Sequence, residues 1–224
     1  MDPRRRTPAV PVDWDAAGAI AARLVRPGPK AERGELAELV ASLRQAGEDA
    51  AGHIAKITEL APADGLGIDE VPLAKILVVD RASWARANAE VFSHLVPDQL
   101  RASKPSPAGY AGASQVAGVL ALLSGKVLGQ FDPFSTPGPR GRLLLVAPNI
   151  LTVEREMDAD PDDFRLWVAL HEQTHALQFA AAPWLARHLR ERAERLLELT
   201  KGAVVVGALH EVEQPLGPGT QVVG

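Results

Sequence analysis

Apolar positions recur at helical spacing along most of this chain, a periodicity that predicts a largely helical protein. A first helix is predicted over Asp13 to Val25. Asp13 can cap it, Trp14, Ala17, Ile20, Ala21 and Leu24 share a face, and Pro27-Gly28-Pro29 stops it. Glu32 to Leu60 reads as one long amphipathic segment, with Gly47 and Gly52 as candidate breaks, and Ala61 to Gly65 as a turn. Val71 to Leu95 is expected to contain another helix, with Trp84, Ala87, Val91 and Leu95 on one stripe. Ala111 to Leu128, rich in Ala, Gly and Leu, reads as a closely packed helix. Phe131 to Gly141 holds three Pro and two Gly and is expected to be a loop. Arg142 to Ala147 is the best strand candidate, being short, continuous and bounded by turn residues. Asn149 to Glu156 leads into a further helix, and Leu185 to Leu199, rich in Arg and Glu, forms the last one.

The helix between those two is the best specified. Asp160 is a good N-cap, Pro161 suits the first helical position, and Asp162 and Asp163 place negative charge in the first turn. Phe164, Trp167, Val168, His171, His175, Gln178 and Phe179 follow the spacing of one face, expected to be buried, and Pro183 ends or kinks the helix. Inside it lies His171-Glu172-Gln173-Thr174-His175, the pattern His-Glu-x-x-His. On a helix the two imidazoles project from one face, so both can ligate one Zn²⁺, and Glu172 stands where it can take a proton from water. The bland alternative is an i,i+4 histidine pair satisfied by ordinary hydrogen bonds.

Composition narrows the chemistry. The 224 residues suit one large domain, or a domain with a helical arm, and 46% hydrophobic content is enough for a packed core. The expected division is a tail at 1–11, a helical domain at 12–200 and an uncertain tail at 201–224. No apolar run approaches the ~18 residues of a membrane span. The basic start, with Arg4-Arg5-Arg6, is followed by no apolar region and so is not a secretory signal; a cytoplasmic location is the default. A net charge of −4 argues against a general nucleic-acid partner. With no Cys, thiolate zinc sites and iron–sulfur clusters are excluded, and a metal would be held by His and carboxylate. There is no Walker-type phosphate loop and no Gly-x-Ser-x-Gly elbow.

Several stretches, taken together, resemble a known family. They are Val12-Asp13-Trp14, Ser83-Trp84-Ala85-Arg86-Ala87-Asn88, Leu128-Gly129-Gln130-Phe131-Asp132-Pro133, Leu145 to Ile150, Asp160 to Trp167 running into the motif, Gln178-Phe179 and Pro183-Trp184-Leu185. The family is the zincin-like "putative hydrolase" family of actinobacteria, whose members are often labelled as associated with biosynthesis of the deazaflavin coenzyme. The resemblance covers roughly residues 12 to 195. It implies a mostly α, zincin-like metallopeptidase fold with a small β element, and it supplies no substrate.

Family members run longer and carry a further helix with a Leu-Leu-Glu-Gly-like segment, whose Glu looks like the third ligand. Leu196-Leu197-Glu198 is the nearest local match, but Leu199 follows it and it comes early in the chain. The chain is therefore expected to be incomplete at its C-terminal end. A catalytic zinc usually has three protein ligands and an open position. The metzincin third histidine is excluded, because Gln178 and Ala181 stand where that pattern needs Gly and His. The remaining candidates are His210, Glu211 and Glu213, or Glu194 and Glu198; the last two more readily form surface pairs with arginines, such as Arg190 with Glu194. Asp132 and Asn149 are candidates for orienting a ligand imidazole, although a turn residue is the commoner role for both. His53, His94 and His188 read as lone histidines.

Two functions follow. One is a zinc-dependent hydrolase, a metallopeptidase with metal ligands His171 and His175, Glu172 as catalytic base, and a peptide or protein substrate pairing with the edge of Arg142 to Ala147. The other is a catalytically inactive helical relative that lacks the third ligand and acts as a binding or interaction module. The third ligand separates the two.

Overall fold

Leu143, Leu144, Leu145 and Val146 are all buried, at 1% exposure or less, because the strand they form is central and covered on both faces. The computed structural model describes residues 11–96, 101–102, 104–135 and 140–200, with side chains as far as Leu196. Arg4-Arg5-Arg6 and the expected tail at 201–224 lie outside the described residues.

Among these residues three strands form one sheet: β1 (Lys75–Val79), β2 (Gly129–Asp132) and β3 (Arg142–Val146), in the order β1-β3-β2. β1 runs parallel to β3, with Ile76 opposite Leu143 and Val79 opposite Val146. β2 runs antiparallel, with Gly129 opposite Leu145 and Asp132 opposite Arg142. The strand expected from Arg142 is therefore present, but it has no free edge; the edges belong to β1 and β2. Both edge strands were hidden in the sequence. Ile76-Leu77-Val78-Val79 is an apolar run, β-branched at all but Leu77, that merged with the helical stripe following it, and Phe131 and Asp132 belong to a strand rather than to the Pro/Gly loop.

The helices are α1 (Trp14–Leu24), α2 (Arg33–Thr58), α3 (Arg81–Leu95), α4 (Pro107–Leu123), α5 (Ala147–Met157), α6 (Pro161–Ala181) and α7 (Trp184–Thr200). Their starts follow sequence signals. Asp13, Asp80 and Ser106 each accept a hydrogen bond from a first-turn N–H of α1, α3 and α4. α2 runs unbroken through Gly47 and Gly52. Leu24, expected on the buried face of α1, is 55% exposed; Ala17, Gly18 and Ala21 carry the contact.

Side chains alternate across β3 and divide the core in two. Leu143 and Leu145 pack with Leu39, Leu43, Ile54, Ile150, Phe164, Val168 and Leu177, from α2, α5 and α6. Leu144 and Val146 pack with Ala17, Ala21, Trp84, Ala85, Ala113, Ala117 and Leu120, from α1, α3 and α4. The molecule is thus a small mixed sheet between two helical layers, mostly α with a small β element. α2 and α6 meet through Ala46, Ala50 and Ala169, residues small enough for close helix contact. Between α5 and α6, Arg165 makes a two-pronged ion pair with the buried Glu154, both bonds 2.9 Å. Among the described residues no helix is long and apolar enough to cross a membrane.

Candidate metal centre

The rotation of α6 is set before the motif begins. Asp160 accepts from the N–H groups of Asp162 and Asp163 at 3.0 and 3.1 Å, and Pro161 opens the helix. The helix then buries Phe164, Val168, Ala169, Glu172, Gln173, Ala176 and Leu177 between the sheet and α2. Trp167, His171, His175 and Gln178, expected on the buried face, lie exposed beside it instead. The buried stripe includes two polar residues of the motif itself, Glu172 and Gln173, and the polar spacing of the sequence concealed this.

His171 and His175 stand edge to face, their ring centroids 5.0 Å apart. Trp167 lies one turn earlier, 6.2 Å from the His171 ring. His175 Nδ1 lies 3.1 Å from Gln178 Oε1.

Glu172 points from the same turn into the protein. Its Oε2 accepts the backbone N–H of Phe131 at 3.0 Å, and its residue exposure is 7%. Burial pushes the Glu172 carboxyl above its ordinary value of 4.5, opposed by the two neighbouring imidazoles and by the Phe131 N–H. Gly129 makes room for it: a Cβ there would stand 2.6 Å from Glu172 Cγ and 2.9 Å from Cδ and Oε1. Val127, Leu128, Gly129, Trp167, Val168, His171 and Glu172 line a recess of about 210 Å³.

These residues fit a zinc ion. Two imidazoles on one helical face supply nitrogen donors, and zinc accepts nitrogen ligands at about 2.0–2.1 Å. Among the described residues no cluster of three or more His, Cys, Asp or Glu side chains is poised to hold a metal.

The other candidates are placed elsewhere. Asp132 is buried against Arg142 Nε at 2.9 Å and accepts from the Phe134 N–H; among the described residues it orients no imidazole. Asn149 donates to the carbonyls of Ser124 and Val127 and accepts from Arg81 Nε at 2.6 Å, tying the starts of α3 and α5 to the end of α4. His188 stands edge-on to Trp184 at 5.8 Å. Arg190 lies over the Phe134 ring at 5.5 Å, and among the described residues Arg187 pairs with Glu191 on α7 at 3.9 Å. Glu194 is exposed on α7; the Glu198 side chain, His210, Glu211 and Glu213 lie outside the described residues. Gln173, which has no role in the sequence reading, is buried and donates to the Gly47 carbonyl of α2 at 2.7 Å.

The profile of the zincin-like metallopeptidase family matches residues 12–214. The chain belongs to the zincin-like metallopeptidase family. A solved structure from Chloroflexus aurantiacus, described as "a putative hydrolase with a novel fold", is similar to this zincin-like chain at 30% identity and a TM-score of 0.61. The match covers 87% of this chain and 62% of that one, so this zincin-like chain spans about three fifths of that neighbour. No curated protein matches it.

Proposed function

We propose that this chain carries the metal-binding helix and catalytic base of a zinc-dependent hydrolase acting on peptide bonds. His171 and His175 hold the ion, and the third protein ligand comes from outside the described residues. When bound, Zn²⁺ acts as a Lewis acid that polarises the scissile carbonyl and lowers the pKa of water. Glu172 is the base. Its Oε2 is engaged by the Phe131 N–H, so Oε1 is the oxygen available to take the proton from the attacking water. The carboxyl's burial raises its proton affinity, and this suits a group that must accept and then return a proton. Trp167 and Leu128 keep the recess apolar on two sides.

The substrate strand pairs with β2 rather than β3. The Leu128 carbonyl accepts the Val146 N–H at 2.8 Å, and by antiparallel alternation the backbone groups of Gly129 and Phe131 then face away from β3. The Phe131 N–H is committed to Glu172, leaving the Gly129 amide and both carbonyls for an extended peptide.

The observation that carries this reading is the buried Glu172 carboxylate held on the Phe131 amide directly beside two exposed imidazoles. The test is Glu172→Gln in zinc-loaded protein, assayed on a mixed peptide library. The variant is expected to retain zinc and to lose about 10²–10⁴-fold in turnover, the usual contribution of general base catalysis. Wild-type turnover by the variant would overturn the role. The competing reading, a non-catalytic binding module, is favoured if zinc-loaded wild-type protein cleaves nothing in that library.

A further inference from the structure

β2 is a four-residue edge strand, yet one of its N–H groups fixes the Glu172 carboxylate. Its side chains alternate, so Gln130 points to the opposite face of the sheet from Gly129 and Phe131. There it meets α3. Gln130 Oε1 accepts from Trp84 Nε1 at 2.8 Å and from Asn88 Nδ2 at 3.1 Å, while Gln130 Nε2 donates to Asn88 Oδ1 at 3.0 Å. Asn88 Nδ2 also donates to the Trp84 carbonyl at 3.0 Å, anchoring the amide pair on the helix itself. An indole N–H only donates, so Trp84 dictates which end of the Gln130 amide faces it, and that orientation dictates the Asn88 amide in turn. Trp84 and Asn88 are buried, at 3% and 4% exposure. Three side-chain bonds of defined polarity thus hold the middle of a very short strand.

We propose that Gln130, gripped by Trp84 and Asn88, is a positioning residue for Glu172. It fixes the height and rotation of β2 on α3, and thereby places the N–H of the next residue, Phe131, 3.0 Å from Glu172 Oε2 on the other side of the sheet. The device links α3 in one helical layer to α6 in the other through a single peptide unit. It also accounts for Gly129 on the other flank, since the Glu172 carboxylate lies against that position only while β2 keeps this rotation. A one-residue slip of β2 would exchange its two faces, directing Phe131 toward α3 and Gln130 into the apolar cluster shared by α2 and α6. A polar clasp on the α3 side penalises that slip, because the buried Asn88 Oδ1 and Trp84 N–H would lose the partners that Gln130 supplies. The inference rests on Glu172 being the working carboxylate of the site.

The test uses the 224-residue chain and reads the Phe131 amide directly, by hydrogen exchange and ¹H–¹⁵N chemical shift. Gln130→Leu removes all three clasp bonds, and Trp84→Phe removes one donor while keeping a ring in the core, so a folded variant carries the test even if the first does not fold. Each variant is expected to expose the Phe131 amide at least ~10-fold more than the amides of β3, and Gln130→Leu is expected to approach the exchange seen in Glu172→Ala. Combining Gln130→Leu with Glu172→Ala should add nothing further at Phe131. A merely structural role predicts uniform acceleration across the sheet and additive effects in the double variant. That result, or an unchanged Phe131 amide in a folded variant, overturns the proposal. Zinc binding and peptide hydrolysis are measured separately, so an amide that responds as expected in a protein without hydrolysis sinks the catalytic reading and leaves the positioning link standing.

Discussion

A Cβ at position 129 would stand 2.6 Å from Glu172 Cγ and 2.9 Å from its Cδ and Oε1, contacts that real Cβ atoms do not make. What must yield is a flexible carboxylate side chain, not backbone. Gly129→Ala is therefore expected to cost little stability, at the lower end of the about 1–3 kcal/mol typical of overpacking, while displacing Glu172 from the Phe131 amide. Thermal unfolding beside zinc-loaded hydrolysis checks this: a small drop in Tm with a large drop in turnover is expected, and full activity would contradict the placement. Glu172 itself gives a pH prediction. Burial raises its folded-state carboxyl above the ordinary value of 4.5, so the folded metal-free protein binds that proton more tightly than the unfolded chain. The associated stability is fully present below about pH 4.5 and is lost as pH rises through the raised folded value. Glu172→Gln removes this titration. Tm measured on metal-free protein should favour the variant increasingly as pH rises above that range; a gap independent of pH would refute the burial argument. The histidines and Glu172 were legible in the sequence through their spacing. Gly129, Gln130 and the Phe131 amide were not assigned a role, because their part depends on a strand edge meeting a helix 41 residues further along.

At the scale of elements, caps carried the most information. Asp13 and Asp160 mark the starts of α1 and α6 because a short carboxylate satisfies first-turn N–H groups that no backbone partner reaches. β1 and β2 escaped because each is short and adjoins a stronger signal: the helical stripe of α3 for β1 and the Pro/Gly loop for β2. The contact between α2 and α6 depends on size more than on hydrophobicity. Ala50 and Ala169 are fully buried where the two helices cross, and Gln173 reaches over to the Gly47 carbonyl in the same interface. Ala50→Leu is expected to force the helices apart at a cost of about 1–3 kcal/mol. Chemical denaturation measures this. A neutral result would mean that the interface is looser than the buried alanines indicate.

For the molecule as a whole, helical content and the helix that carries the His-Glu-x-x-His pattern could be read from the sequence, whereas the layering could not. Leu143 to Val146 reads as one apolar run, and only the paired strands on either side show that it serves two cores at once. That layering explains the site. α6 lies against the sheet, buries Glu172 towards the β2 edge and leaves His171 and His175 facing outward, where an ion and a further ligand can reach them. Zinc titrated into metal-free protein, in wild type and in the His171→Ala and His175→Ala variants, tests this most directly. The arrangement predicts one zinc per wild-type chain, and binding at least ~100-fold weaker in either variant, a loss of about 2.8 kcal/mol or more. Zinc bound equally well by wild type and both variants would contradict it.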